Sequence, residues 1–273
     1  MIPVAYLQLN LESQYLGVNH ETGIILPDKP RNLTPKEFYE SGKKYKVLWL
    51  LHGTFGDHSD WIRKSNIEIY ACEKDLIVVM PSGLNANFSN WPDFTIGYNW
   101  FDYLTEELMP LVHNWFPASD KREDNFIAGL SMGGGGAIKY AVNHPEKFGA
   151  AAILSSSPRN FHSINPATAE GRTLNSIRNA GSLENYINSY ENVWDKLKEL
   201  APAGTLPKLY FATGTEDFGY EGYLAFQKYA KEIGLEATFE EGRGKHEWRF
   251  WDTYIQRALT FFGLDENDAG NPF

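Results

Sequence analysis

Hydrophobic and polar positions alternate along residues 4–11, the two-residue period of a strand with one buried face, and 23–27 make a second short strand that closes at Pro27. Together they predict an antiparallel edge leading into a larger sheet. Residues 27–44 are polar and turn-rich, a connecting loop. The pattern then changes. Residues 45–51, 76–80, 148–154 and 208–213 are nearly continuous apolar runs, as expected of strands buried on both faces. Segments with helical spacing lie among them: 61–71, 100–116, 220–233, and a last helix in which Trp248, Trp251, Ile255 and Leu259 recur three or four residues apart. Pro110 is expected to kink the second of these. A final strand is predicted over 236–240. Strands alternating with helices predict an α/β fold, a mostly parallel central sheet with helices on both faces, in one domain spanning 1–273.

Two stretches interrupt the alternation. Residues 82–98, rich in Asn, Pro and aromatics, leave the C-terminal end of a parallel strand and should lie over the ligand-binding edge of the sheet. Ser155-Ser156-Ser157-Pro158 opens an insertion, 158–206, in which 183–200 has helical character and 159–181 reads as polar loop. An insertion at this point is expected to act as a cap or lid and to wall part of the substrate pocket.

Composition narrows the functional classes. The 35 acidic against 25 basic residues give a formal net charge of -10, which argues against nucleic acid or an anionic membrane as partner. Cys72 is the one cysteine, so no intrachain disulfide can form. No apolar stretch approaches the roughly 20 residues of a membrane helix. The first residues lack the pattern of a secretory signal, so the cytoplasm is the expected location. Eight tryptophans supply rings for a pocket as well as for the core.

The chemistry centres on Gly129-Leu130-Ser131-Met132-Gly133, set between an apolar strand, 125–130, and a helix-compatible segment, 137–142. This is G-x-S-x-G in the strand-turn-helix setting of a nucleophile elbow, where the turn strains the serine and leaves room only for hydrogen two positions to either side. Gly134, Gly135 and Gly136 weaken the first helical turn, which makes sense if the helix must lie close to the sheet. A serine hydroxyl needs a base, and the base an acid, in the chain order serine, acid, histidine. His144, about three turns down the helix, should point away, and His162 lies in the insertion. His246, just past the last strand, is where the base should be. The acid should follow the preceding strand, in Thr213-Gly214-Thr215-Glu216-Asp217-Phe218. Asp217 is preferred for its shorter side chain, and Glu216 is the alternative.

Backbone N–H groups must converge on the charge that develops on the carbonyl oxygen. Met132, at the positive end of its helix, and Thr54, in the loop His52-Gly53-Thr54, are the candidates. Trp61, Trp91, Phe218 and Trp248 are candidates for an aromatic pocket wall. His52, Asp57, His58 and Asp60 are spread over a loop without metal-ligand spacing, so no metal is expected. Arg243 and Lys245 flank His246 and would disfavour its protonation if close.

Four segments in this order, Leu50-Leu51-His52-Gly53-x-x-Gly56 with Trp61, then Ile127 to Gly134, then Gly214 to Phe218, then His246-Glu247-Trp248-x-x-Trp251, resemble the esterase D-like family of α/β-hydrolases. The likeness is to tributyrin esterases of Gram-positive bacteria and related feruloyl and acetyl-xylan esterases, and it covers most of the chain outside the insertion. It implies the α/β-hydrolase fold and a cofactor-free serine carboxylesterase acting on short acyl or aryl esters, acetyl, butyryl or feruloyl-type. Ser131 is the implied nucleophile, His246 the base and Asp217 the acid, and the resemblance supports Thr54 and Met132 as backbone donors. The implied partner is a small-molecule ester or acylated sugar, with assembly into a dimer or larger homo-oligomer left open. S-formylglutathione hydrolases of the same family usually carry a serine where this chain has His52, a departure that lowers the case for a glutathione thioester without removing it. An acyltransferase using the same residues is a further alternative.

Overall fold

The computed structural model describes residues 4–264. Its strands are β1 (Val4–Ser13), β2 (Val18–Pro27), β3 (Lys46–Leu51), β4 (Leu76–Pro81), β5 (Asn90–Trp91), β6 (Tyr98–Asn99), β7 (Asn125–Leu130), β8 (Ala150–Leu154), β9 (Lys208–Gly214) and β10 (Thr238–Gly242). Eight of them form one sheet in the order β1-β2-β4-β3-β7-β8-β9-β10, and β5 and β6 pair separately as a small hairpin. From β4 to β10 every neighbouring pair is parallel, while β1 and β2 add an antiparallel edge. The chain steps outward from β3 to β4 in one direction and from β7 to β10 in the other. The crevice therefore opens beyond the C-terminal ends of β3 and β7, where the strand order reverses.

The helices are α1 (Pro35–Tyr39), α2 (Asp60–Lys64), α3 (Ile67–Lys74), α4 (Trp100–Asp102), α5 (Met109–Trp115), α6 (Met132–Asn143), α7 (Gly171–Asn179), α8 (Leu183–Ile187), α9 (Val193–Leu200), α10 (Tyr220–Glu232) and α11 (Trp248–Phe261). Alternate residues of each parallel strand enter one of two cores. Val47, Trp49, Leu51, Ile127 and Ile153 meet the 100–115 helix, α6, α9 and α10. Leu48, Leu50, Phe126, Ala128 and Leu154 meet α2, α3 and α11 on the other face. Both faces are covered, so both sets must be apolar. That is why these strands read as unbroken hydrophobic runs. Among the described residues no helix is long and apolar enough to cross a membrane.

Several expectations are corrected. The helix expected over 61–71 is two, because Ser65 is extended and its hydroxyl donates to Trp61 O at 2.6 Å while Asn66 is held by Asp252 through two hydrogen bonds. Residues 27–44 contain α1, whose start carries a capping box: Thr34 and Glu37 satisfy each other's backbone N–H groups around Pro35. Pro110 is absorbed without a break. A π-helical stretch, Tyr103–Leu108, widens the helix just before it, and the Met109 N–H reaches back to Leu104 O. Within 159–181 the polar loop holds α7, in which Ser176 is the one buried residue. The helical character of 183–200 resolves into α8 and α9.

Candidate active site

The turn from β7 into α6 places Ser131 at φ 52°, ψ −117°, a conformation that side chains other than glycine adopt only when their surroundings hold them there. A Cβ on Gly129 would lie 2.3 Å from Gly133 O, and one on Gly133 would lie 2.5 Å from the carbonyl oxygens of both Leu51 and His52. The two flanking glycines are thus required by backbone packed on backbone. Gly134 and Gly136 are similarly confined by Ser156 and Phe88, whereas a Cβ on Gly135 would meet nothing closer than 3.6 Å. Close packing of α6 therefore accounts for two of the three additional glycines.

Ser131 Oγ lies 2.8 Å from His246 Nε2, and His246 Nδ1 lies 2.8 Å from Asp217 Oδ2. An ionised carboxylate only accepts, so Nδ1 carries the proton and Nε2 is free to accept from the serine hydroxyl. The Asp217 side chain is fully buried. Burial works to raise its pKa but is outweighed by hydrogen bonds from His246, the Gly219 N–H and Ser155, so the carboxyl is held below its ordinary range. Glu216, the alternative acid, turns to Arg243 instead, at 3.4 Å. Arg243 is 94% exposed along its side chain, so the influence on His246 expected of it has no geometric support. His162 pairs with Asp195 inside the insertion, and His144 ends α6 near Glu146.

The loop after β3 closes over the serine. A Cβ on Gly53 would lie 3.6 Å from Ser131 Cβ, so the Thr54 backbone begins directly beside it. Met132 is the first residue of α6, whose N–H helical geometry leaves without a carbonyl. His52, read from the sequence as a loop residue without metal-ligand spacing and as a departure from a family pattern, pins this loop. Its Nε2 accepts from the Gly83 N–H at 2.7 Å and its Nδ1 donates to Gly53 O at 2.6 Å, with the ring buried and its pKa pushed down by that burial. His58 is held by Ser82 and Gln8, Asp57 by Ser59 and Asp60 by Lys64. Sequence reasoning also missed Ser155, which follows β8 at φ 50°, accepts from Trp251 Nε1 at 2.9 Å and bonds Asp217. A serine run after a parallel strand was the available signal.

Two cavities meet at Ser131. One, of about 310 Å³, is walled by Leu130, Phe218, Trp248 and Trp251 together with Asp60 and Lys64. The other, of about 660 Å³, is walled by Met132 and Ser155 to Ser157 and, from the insertion, by Arg159, Arg172, Ser176 and Glu191. Thr54, Ser131, Phe218 and His246 border both. Of the expected pocket aromatics, Phe218 and Trp248 line these cavities. Trp61 does not: it is buried in the core with its indole N–H on Leu51 O, and Trp248 stands edge-on against it. Trp91 does not either, because its N–H is tied to Ala86 O and its ring lines a different cavity, with Phe94 and Tyr98.

Residues 28–262 match the family described as Putative esterase. An acetyl esterase of Caldicellulosiruptor saccharolyticus is 30% identical over 265 residues, which cover 94% of this chain and 97% of that protein. The structure of Staphylococcus aureus fluorophosphonate-binding serine hydrolase F, substrate bound, is 32% identical with a TM-score of 0.77, covering 96% of this chain and 100% of its own. The S-formylglutathione hydrolase of Staphylococcus aureus is 33% identical, also at a TM-score of 0.77, over 95% and 98% of the two chains. The chain accordingly belongs to the Putative esterase family and is an ester hydrolase of the α/β-hydrolase fold.

Proposed function

We propose that the protein is a serine carboxylesterase in which Ser131, His246 and Asp217 form the catalytic triad. The observation that carries this is the unbroken pair of 2.8 Å hydrogen bonds from Ser131 through His246 to Asp217, with the serine held at positive φ. His246 Nε2 takes the hydroxyl proton as Ser131 Oγ bonds to the ester carbonyl carbon. The carbonyl oxygen, now negative, is stabilised by the N–H groups of Thr54 and Met132. Collapse breaks the bond to the alcohol oxygen, which leaves with the proton from His246. Water, deprotonated by the same nitrogen, then releases the acid and restores Ser131. Asp217 steadies the imidazolium in both halves.

Short acyl or aryl esters of small alcohols or sugars are the proposed substrates. Rates on p-nitrophenyl acetate, butyrate and octanoate and on methyl ferulate test this, with the shorter esters or the ferulate favoured. Uniform inertness of folded protein would refute it. Ser131→Ala is expected to lose roughly four to six orders of magnitude in kcat while staying folded. A second reading, a thioesterase acting on S-formylglutathione, is supported by the 33% identical Staphylococcus aureus structure. His52 does not weaken it: both ring nitrogens are engaged with backbone and the ring borders neither cavity. Comparing S-formylglutathione with p-nitrophenyl acetate decides between the two.

A further inference from the structure

The cavities that share Ser131 differ in size and chemistry. Trp248, Trp251 and Leu130 line the smaller beside Gly53 and Thr54, and its charged residues Asp60 and Lys64 neutralise each other at 2.8 Å. The larger is rimmed by serines and carries four charged residues besides His246: Lys139, Glu191, Arg159 and Arg172. Lys139 and Glu191 are paired at 2.7 Å, and Lys139 is further held by Asn87 O and Ser89 Oγ. That leaves two arginines. Neither forms an ion pair with a carboxylate among the described residues, in a chain where acidic residues outnumber basic ones. Arg172 donates to Thr54 Oγ1, which places its guanidinium beside the proposed oxyanion donor while the side chain stays exposed at the mouth of the cavity. Arg159 stands next to Tyr186 on the same wall.

We infer that the two cavities divide the substrate between them, a short acyl group in the tryptophan-lined one and, in the larger one, a leaving group bearing an anion such as a carboxylate that Arg159 and Arg172 bind. This rests on the esterase reading above. A planar guanidinium without a carboxylate partner is suited to bidentate capture of a carboxylate or phosphate. Hydration assigns the sides. After the alcohol departs, the cavity it vacates must admit the water that cleaves the acyl-enzyme, and the larger cavity, with twice the volume and with Ser155 to Ser157, Ser176 and both arginines on its wall, offers that water more room and more partners than the smaller. The acyl group, still bonded to Ser131 Oγ, stays in the smaller cavity.

The test compares 4-acetoxybenzoate with 4-acetoxybenzamide, the same acetyl group on an anionic or a neutral leaving group, with each kcat/KM divided by the rate of alkaline hydrolysis. The benzoate is expected to be favoured by about tenfold or more, the yield of one charge-assisted hydrogen bond. Arg172→Gln and Arg159→Gln should each reduce that ratio severalfold, and Arg172→Lys should restore part of it. Moving the charge to the acyl side, as in p-nitrophenyl hemisuccinate against p-nitrophenyl butyrate, should bring no advantage. Equal use of benzoate and benzamide, or a ratio indifferent to both arginines, would overturn the inference and leave the esterase intact, and a preference for the hemisuccinate would reverse the sides. If neither acetate is cleaved and Ser131 resists a fluorophosphonate, the esterase reading fails and this one with it.

Discussion

The two walls of the active-site cavity are built by different physics. On the sheet side, β7, Ser131 and α6 meet the loop after β3 through backbone atoms: carbonyl oxygens stand 2.5 Å or less from where a Cβ on Gly129 or Gly133 would be. On the insertion side, contact runs through side chains. Lys139 meets Glu191, Asn143 Nδ2 reaches Tyr190 O, Asn179 Nδ2 reaches Asn90 O, and Arg172 reaches Thr54. Backbone packing leaves almost no freedom, so it fixes the reacting atoms. Side-chain contacts can be exchanged one at a time, so that wall is where substrate preference can vary while the chemistry stays.

Asp217→Asn should show the largest effect on the sheet side. An amide cannot hold the imidazole tautomer, and a loss of about 10⁴ in kcat is expected while KM changes little. The same variant tests the acid limb of stability. The folded Asp217 carboxyl has a lowered pKa, so its contribution is complete above the unfolded value, near 4, and is lost as pH falls through the folded value. Urea midpoints from pH 7 to pH 3 should fall more steeply in the native protein than in Asp217→Asn. A parallel fall would remove Asp217 as the source.

Lys139→Met probes the opposite wall. Removing one member of a buried pair strands the other, and a loss of about 3 kcal/mol is expected by denaturant titration. Adding Glu191→Leu should recover part of it. If the double variant were no better than the single, the pair would not be what holds the insertion down. Gly133→Ala is the smallest of the three, about 2 kcal/mol, because its methyl must push aside the carbonyls of Leu51 and His52. A neutral result would show that this contact yields easily.

The same contrast explains what could be read from the chain. The parallel strands, the elbow at Ser131 and the residues that meet it were legible, because two-sided burial demands unbroken apolar runs and strained turns demand glycine. Helix α7 was not, since Leu174 and Ile177, three residues apart on one face, are the only large apolar residues of an otherwise polar stretch. The break at Ser65 depends on Asp252, nearly two hundred residues away, and no local pattern announces it. Trp61 and Trp91 were both placed at the pocket by residue type. One fills the core and the other a separate cavity, a choice made by where their indole N–H groups find acceptors. His52 looked like a departure, and became a staple only once Gly83 was seen beside it.

The most direct measurement of the central claim is the intact mass and peptide map of the protein after reaction with a fluorophosphonate. The account predicts one phosphonyl adduct, on Ser131, formed far more slowly in Asp217→Asn and absent from Ser131→Ala. No adduct on folded protein, or one on Ser155, Ser156 or Ser157 across the same cavity, would contradict it.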